Sequence, residues 1–192
     1  MPAFIHWPGK IKPGTVLNDI VSHQDMLPTL LAIAGDPDVN QKLLNGYKVG
    51  NKTFKVHIDG VNMLDYITGQ VKESPRKAFF YMSDDGEVMA VRSGDWKMVV
   101  GEQKANQLRV WMEPFDKLRV PLIFNLRRDP FERAQFNSNT YYDWMVNHIF
   151  MLYEMQALVA SQIDEFTKFP PRQKPASFNL DAVMRQMTAH AQ

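Results

Sequence analysis

Asp84 and Asp85 stand side by side after the apolar run KAFFYM (77–82) and directly before Gly86. Two carboxylates at the end of a strand offer hard oxygen ligands of the kind that hold calcium or magnesium. The same residues also spell a tight hairpin, because Asp-Gly places glycine where the turn needs a positive φ. Calcium takes about six to eight oxygens, so two aspartates in a hairpin would need partners from elsewhere. A turn without metal is therefore the first reading. A loop bordering a substrate pocket is the second, and a metal ligand the third.

The other candidates are weaker. His6, His23, His57, His148 and His190 include no HxH or HxxxH pair, so metal-binding spacing is absent. His6 ends an apolar run and could line a site, although a histidine satisfied by the backbone is the simpler reading. Ser22, His23 and Asp25 stand too close together for a catalytic triad and read as local hydrogen-bonding groups at a helix start. Neither GxGxxG nor GxxxxGK[ST] occurs. There is no cysteine, which excludes disulfides, thiolate nucleophiles and Cys-based zinc sites within the chain. The net charge is +1 and the basic residues are scattered, which argues against nucleic-acid binding by bulk charge. No apolar run reaches the roughly 20 residues that span a bilayer. The start, MPAFIHWPGKIKPG, lacks the pattern of a signal peptide. Residue chemistry alone thus points to no self-sufficient active site, and no cofactor is expected in this chain.

The elements that would position these residues follow from patterning. With 45% hydrophobic and 22% charged residues, the 192-residue chain can build a real core, as one domain or as one domain and part of another. Ala3–Trp7 reads as a buried strand ended by Pro8 and Gly9. Met26, Leu27, Leu30, Leu31 and Ala34 mark a helical face capped by Asp25 and ended by Gly35. Residues 36–56 read as a polar excursion, and HIDGVNMLDYITGQ (57–70) as a turn and short helix stopped at Gly69. From 75 onward the period shortens. KAFFYM, VMAVRSG (88–94), DWKMVVG (95–101) and PLIFNL (121–126) are strand-like and joined by turns, which predicts an antiparallel sheet. Met145, Ile149, Leu152, Met155, Val159, Ile163 and Phe166 form one apolar stripe, which predicts a single long helix over 139–168 that packs on the sheet. PPRQKP (170–175) breaks it, and SFNLDAVMRQM (177–187) suggests a last short helix. Arg127-Arg128-Asp129 before Pro130 reads as a turn with a local ion pair.

Several stretches, taken in order, resemble the C-terminal part of bacterial arylsulfatases, members of the sulfatase family with the alkaline-phosphatase-like fold. PAFIHWPGKIKPG (2–14), SHQDMLPTLLAIAG (22–35), HIDGVNMLDYITG (57–69), VMAVRSGDWKMV (88–99) and IFNLRRDPFERAQ (123–135) each look like a family stretch, with order and spacing kept. The resemblance covers roughly residues 2–168, and the tail FPPRQKPASFNLD looks like one clade's ending. It implies an α/β chain, α+β within this fragment. Residues 1–74 would be the C-terminal portion of the large α/β domain, and 75–192 a small subdomain of antiparallel sheet and long helix. For the complete enzyme it implies sulfate-ester hydrolysis with a formylglycine nucleophile and a calcium ion.

The departures are as informative. The family nucleophile comes from a C/S-x-P-x-R motif, and Ser74-Pro75-Arg76 lacks its spacers. The resemblance puts the nucleophile and metal ligands upstream, so the chain is expected to be inactive without a missing N-terminal sulfatase portion. Met1 stands where the family usually has valine, which fits a truncated reading frame, a partial gene or a deliberately cut fragment. Asp84 and Asp85 fall in a hairpin that approaches the site mouth in the family, so they are expected at the rim of the substrate pocket, with His6 beside them as a further candidate. The compartment would be set by upstream residues; the resemblance fits a periplasmic or secreted complete enzyme. The other reading is a stand-alone non-catalytic remnant that forms a homo-oligomer through exposed strand edges.

Overall fold

The structure, a computed structural model, describes residues 3–170. The chain forms two compact units, one up to Phe79 and one from Phe80 onward. The final helix suggested for 177–187 lies outside the described residues.

The first unit is built from short pieces. A 3-10 turn at His23–Asp25 runs into α1 (Met26–Ile33), followed by α2 (Val39–Asn45). A small hairpin of β1 (Tyr47–Val49) and β2 (Lys52–Phe54) pairs Tyr47 with Phe54. The last helix of the unit, α3 (Leu64–Ile67), ends before Gly69. Residues 36–56 are thus not the unstructured excursion expected from their polarity. The α2 sequence VNQKLLN is too short to show a clear apolar stripe, and the hairpin's side chains are mostly exposed. Met63, Tyr66 and Ile67 form the unit's buried apolar cluster.

The expected buried strand Ala3–Trp7 is not formed. This segment has no regular secondary structure and pairs with no strand among the described residues, and Phe4 is 94% exposed. A strand exists only through the ladder of a neighbour, and an apolar run alone cannot supply one. On α1, Leu27 and Leu30 are exposed while Pro28, Thr29 and Ala32 are buried, so the predicted apolar face is split between core and surface.

The second unit holds a four-stranded sheet whose order follows the chain. Its strands are β3 (Ala78–Met82), β4 (Val88–Ser93), β5 (Trp96–Glu102) and β6 (Asp116–Asn125). The register sets Ala90 opposite Val99 and Val99 opposite Leu122, and it sets Val91 opposite Met98 and Met98 opposite Ile123. Because side chains alternate between faces, these rows lie on opposite sides of the sheet. One side gathers Ala90, Val99, Leu122 and Phe124 with Tyr141. The other gathers Val91, Met98 and Ile123 with Met151 and Met155.

The single long helix expected over 139–168 is two helices, α5 (Tyr141–Asn147) and α6 (Phe150–Lys168). The break falls at His148. Its backbone N–H reaches both Trp144 O and Met145 O, and its ring Nδ1 lies 2.7 Å from Trp144 O. The imidazole occupies a carbonyl of the preceding turn and stacks on the Trp144 ring, with centroids 4.6 Å apart. The apolar stripe is correspondingly divided. Met155 is buried, Met145, Leu152 and Val159 pack beside it, and Ile149 and Ile163 are exposed. A short helix α4 (Ala134–Asn137) precedes α5.

Candidate functional site

The Asp84-Asp85 pair forms the tip of the β3–β4 hairpin. Ser83 N donates to Glu87 O at 2.8 Å, and Gly86 N donates back to Ser83 O at 3.0 Å. Gly86 has φ +80, a left-handed conformation that glycine adopts without the clash of a Cβ. The Ser83 hydroxyl accepts from Glu87 N at 3.1 Å and pins the turn from within. Asp84 is exposed. Asp85 is half-buried, and its Oδ1 is buried without a hydrogen-bond partner among the described residues. A buried acceptor left unmet costs about 1–3 kcal/mol. His6 lies in the first unit, in the segment 3–7, which has no regular secondary structure. It is exposed and makes no hydrogen bond with the described residues, so the reading of a backbone-satisfied histidine does not hold. His6 therefore belongs to a different unit from Asp84 and Asp85.

The densest polar arrangement is one that the sequence reading missed. Asp25 is wholly buried and Arg76 is almost so. The Arg76 Nε donates to both Asp25 carboxylate oxygens, at 3.1 and 2.8 Å, and Nη2 donates to Asp25 Oδ1 and to Asp59 O. The same carboxylate accepts from Ser22 N and from Val61 N, each at 2.8 Å. Asp25 does not cap α1 as expected: Ser22 caps the 3-10 turn and Asp25 answers it in a capping box. The Thr29 hydroxyl donates to Asp25 O at 2.6 Å and accepts from Met63 N at 2.9 Å. Ser74 receives its fold from Asp19 Oδ2, which accepts from Ser74 N, while the Ser74 hydroxyl donates to Ile20 O. Gly60 completes the arrangement by close approach. A Cβ there would lie 2.1 Å from Gln24 O.

This network joins three stretches of the first unit with every charged group paired. Its chemistry is structural: both oxygens of the buried Asp25 carboxylate are bound to Arg76 and to backbone amides. It also tests the implied prosthetic group. Ser74 is buried and hydrogen-bonded, Arg76 is bound to Asp25, and no C/S-x-P-x-R motif occurs, so no residue of this chain fits a formylglycine. Asp84 and Asp85 alone do not furnish a calcium cage.

The second unit has a cavity of about 290 Å³ where β6 ends and α5 begins. Phe124, Tyr141 and Trp144 form its aromatic side. Tyr141 donates to Ile123 O at 2.9 Å, and burial pushes its hydroxyl up to about 12. Trp144 lies nearly parallel to Trp96, with centroids 5.9 Å apart. Asp129 forms no local ion pair among the described residues. Its carboxylate accepts from Arg133 N at 3.0 Å and Ala134 N at 2.8 Å.

Comparison with known proteins bears on the whole chain. Residues 74–188 match the family model described as the C-terminal region of aryl-sulfatase. The chain is 29% identical over 182 residues to arylsulfatase A of Bos taurus, covering 90% of this chain and 32% of that protein. It is 27% identical over 157 residues to an ulvan-active sulfatase of Formosa agariphila, covering 74% of this chain and 30% of that protein. A crystal structure of the PsFucS1 sulfatase from Pseudoalteromonas sp. aligns over 62% of this chain and 23% of its own, with 18% identity and a TM-score of 0.45. The chain spans about a third of the length of the curated relatives it matches.

Proposed function

The chain belongs to the family of arylsulfatase C-terminal regions, and from that premise we propose that it is the C-terminal portion of a sulfuric ester hydrolase, inactive without the portion that precedes it in its relatives. The observation that carries this reading is a pairing of facts. The match extends along the chain while spanning only about a third of the relatives, and no formylglycine precursor motif falls within it. The surface of the first unit supports it. Phe4, Val16, Leu27 and Leu30 are all exposed, apolar side chains of the kind that a further stretch of protein would cover.

In the complete enzyme the nucleophile and calcium ligands come from the preceding portion, and this chain supplies packing and the rim of the pocket. Asp84, Asp85 and His6 are the proposed rim residues. The exposed carboxylate of Asp84 at the hairpin tip favours that role, since a substrate hydroxyl can reach it. The test has two parts. An immunoblot of the source with an antibody against 141–168 is expected to show a band well above 22.2 kDa. The purified 192-residue chain is expected to show no hydrolysis of 4-nitrophenyl sulfate. A band at 22.2 kDa would replace this reading with the second one, a stand-alone non-catalytic protein that self-associates through the same exposed apolar surface.

A further inference from the structure

Asn45 is the only asparagine in the sequence that is followed by glycine. It is the last residue of α2, it is exposed, and its side chain makes no hydrogen bond with the described residues. An asparagine carboxamide stands within reach of the next residue's backbone nitrogen, and the ring that the two can close is hindered chiefly by the side chain of that next residue. Glycine has none. The space around Gly46 is open as well: even a Cβ there would meet nothing closer than Thr53 Cγ2 at 3.6 Å.

A continuing helix would hold the following nitrogen in its ladder and away from the carboxamide. Here the ladder has ended. Gly46 has φ 100 and ψ 90, outside the helical region, and its N–H reaches Leu43 O at 3.3 Å, beyond the usual N–H···O length. Leu43 O also accepts from Val56 N, at 3.1 Å. Release of the Gly46 N–H therefore leaves no carbonyl unmet, and the opening required is of the kind that helix ends undergo readily.

We propose that Asn45 is a site of self-modification whose only co-reactant is water. The Gly46 nitrogen gives its proton to solvent and forms a bond to Asn45 Cγ. The bond from Cγ to Nδ2 breaks, and Nδ2 takes a proton from solvent and leaves as ammonia. Water then opens the succinimide ring by breaking one of the C–N bonds to the Gly46 nitrogen. Attack at Cγ gives aspartate. Attack at the main-chain carbonyl gives isoaspartate, with the chain now running through Cγ. Nothing is oxidised or reduced, and either product carries a carboxylate where a neutral amide stood.

The new charge stands three residues from Lys42 on the helix surface, a spacing at which side chains pair. Lys42 Nζ is held by Asp36 Oδ1 at 2.6 Å and lies over the Tyr47 ring, and Tyr47 donates to Asp36 Oδ2 at 2.9 Å. The product carboxylate competes for that lysine. Isoaspartate also adds a backbone carbon between α2 and β1, the two elements that this cluster ties together. The modification thus loosens the seat of the β1–β2 hairpin, and it is independent of any sulfatase activity.

The experiment incubates the folded 192-residue chain in mildly alkaline buffer and follows it by tryptic digestion and mass spectrometry. Cleavage after Lys42 and Lys48 releases LLNGYK (43–48), and cleavage after Lys52 releases VGNK (49–52), whose Asn51 is exposed in the hairpin turn but followed by lysine. LLNGYK is expected to exchange the mass of NH2 for that of OH and to divide into two products of equal mass. Its rate in the folded chain is expected to lie within about tenfold of the synthetic peptide LLNGYK, the cost of releasing one weak hydrogen bond. VGNK is expected to stay unchanged over the same time. A folded-chain rate further below that of the free peptide overturns the proposal, because the helix end then protects the site. So does Asn51 converting as fast as Asn45. Asn45→Gln needs a larger ring and is expected to abolish the mass change; an unaltered rate in that variant also overturns the assignment.

Discussion

Arg76 and Asp25 lie 51 residues apart in sequence, yet the Arg76 Nε and Nη2 close on one carboxylate that has no exposed surface. The pair is the hub on which the start of α1, the Asp59–Met63 stretch and the Ser74–Ala78 stretch converge. Taking two charges out of water is costly, and here four further bonds offset that cost: Ser22 N and Val61 N to the carboxylate, Asp59 O and Ala78 O from the guanidinium.

Removing one partner should therefore hurt more than removing both. Arg76→Met leaves Asp25 buried and short of its counter-charge, and is expected to destabilise the first unit by about 3–5 kcal/mol. The double variant Asp25→Leu, Arg76→Met is expected to recover part of that loss. Urea titrations of the two variants measure it, and a double variant weaker than the single one by the full second cost would refute the hub.

Asp85 predicts the opposite sign. Its buried Oδ1 has no partner among the described residues, so Asp85→Ala removes an unmet acceptor. The stability of the chain is expected to stay level or rise by up to about 1 kcal/mol. A loss of stability above about 1 kcal/mol in the isolated chain would mean that the carboxylate is bound after all.

Tyr141 sets an alkaline limit. Its hydroxyl is pushed from 10.0 to about 12 by burial, so the folded chain holds the proton more tightly than the unfolded chain. That contribution is complete below pH 10.0 and is lost as pH rises from there toward about 12. Tyr141→Phe should flatten the stability profile in this window while costing about 1 kcal/mol at neutral pH, because the bond to Ile123 O goes. Thermal melts of both proteins between pH 9 and 11 report it, and parallel profiles would count against the assignment.

Gly60 is held by contact rather than by turn geometry. A Cβ there would press on the Gln24 backbone, which cannot move without disturbing Asp25 next to it. Gly60→Ala is expected to cost about 1–3 kcal/mol, in the range of overpacked cores. Gly86→Ala, with no atom within 4 Å of its Cβ position, should cost only the strain of its positive φ. Equal losses for the two would show that close approach is not the constraint at Gly60.

The patterns of the second unit were readable because they are local. Alternation in VMAVRSG and DWKMVVG names both faces of the sheet, and Asp-Gly names the turn between β3 and β4. The break at His148 was not readable, since apolar spacing of three and four continues across it while the imidazole takes a carbonyl the stripe does not record. The Asp25–Arg76 pair left no local trace at all. An aspartate before a helix and an arginine after Ser-Pro each have an ordinary explanation, and only the folded chain brings them together. The cavity at Trp144 drew on residues spread from 124 to 144 whose hydrogen-bond accounts cannot be balanced from sequence.

The strand order of the second unit has a bearing on how the chain is made. Each strand pairs with the one synthesised just before it, from β3 through β6. A ribosome releases these strands in the order in which they are needed, and none has to wait for a distant segment before it can find its neighbour. The helices α5 and α6 then emerge onto a sheet that is already complete. Within the second unit the sheet can thus be finished during synthesis, whether or not its first unit has yet found a partner.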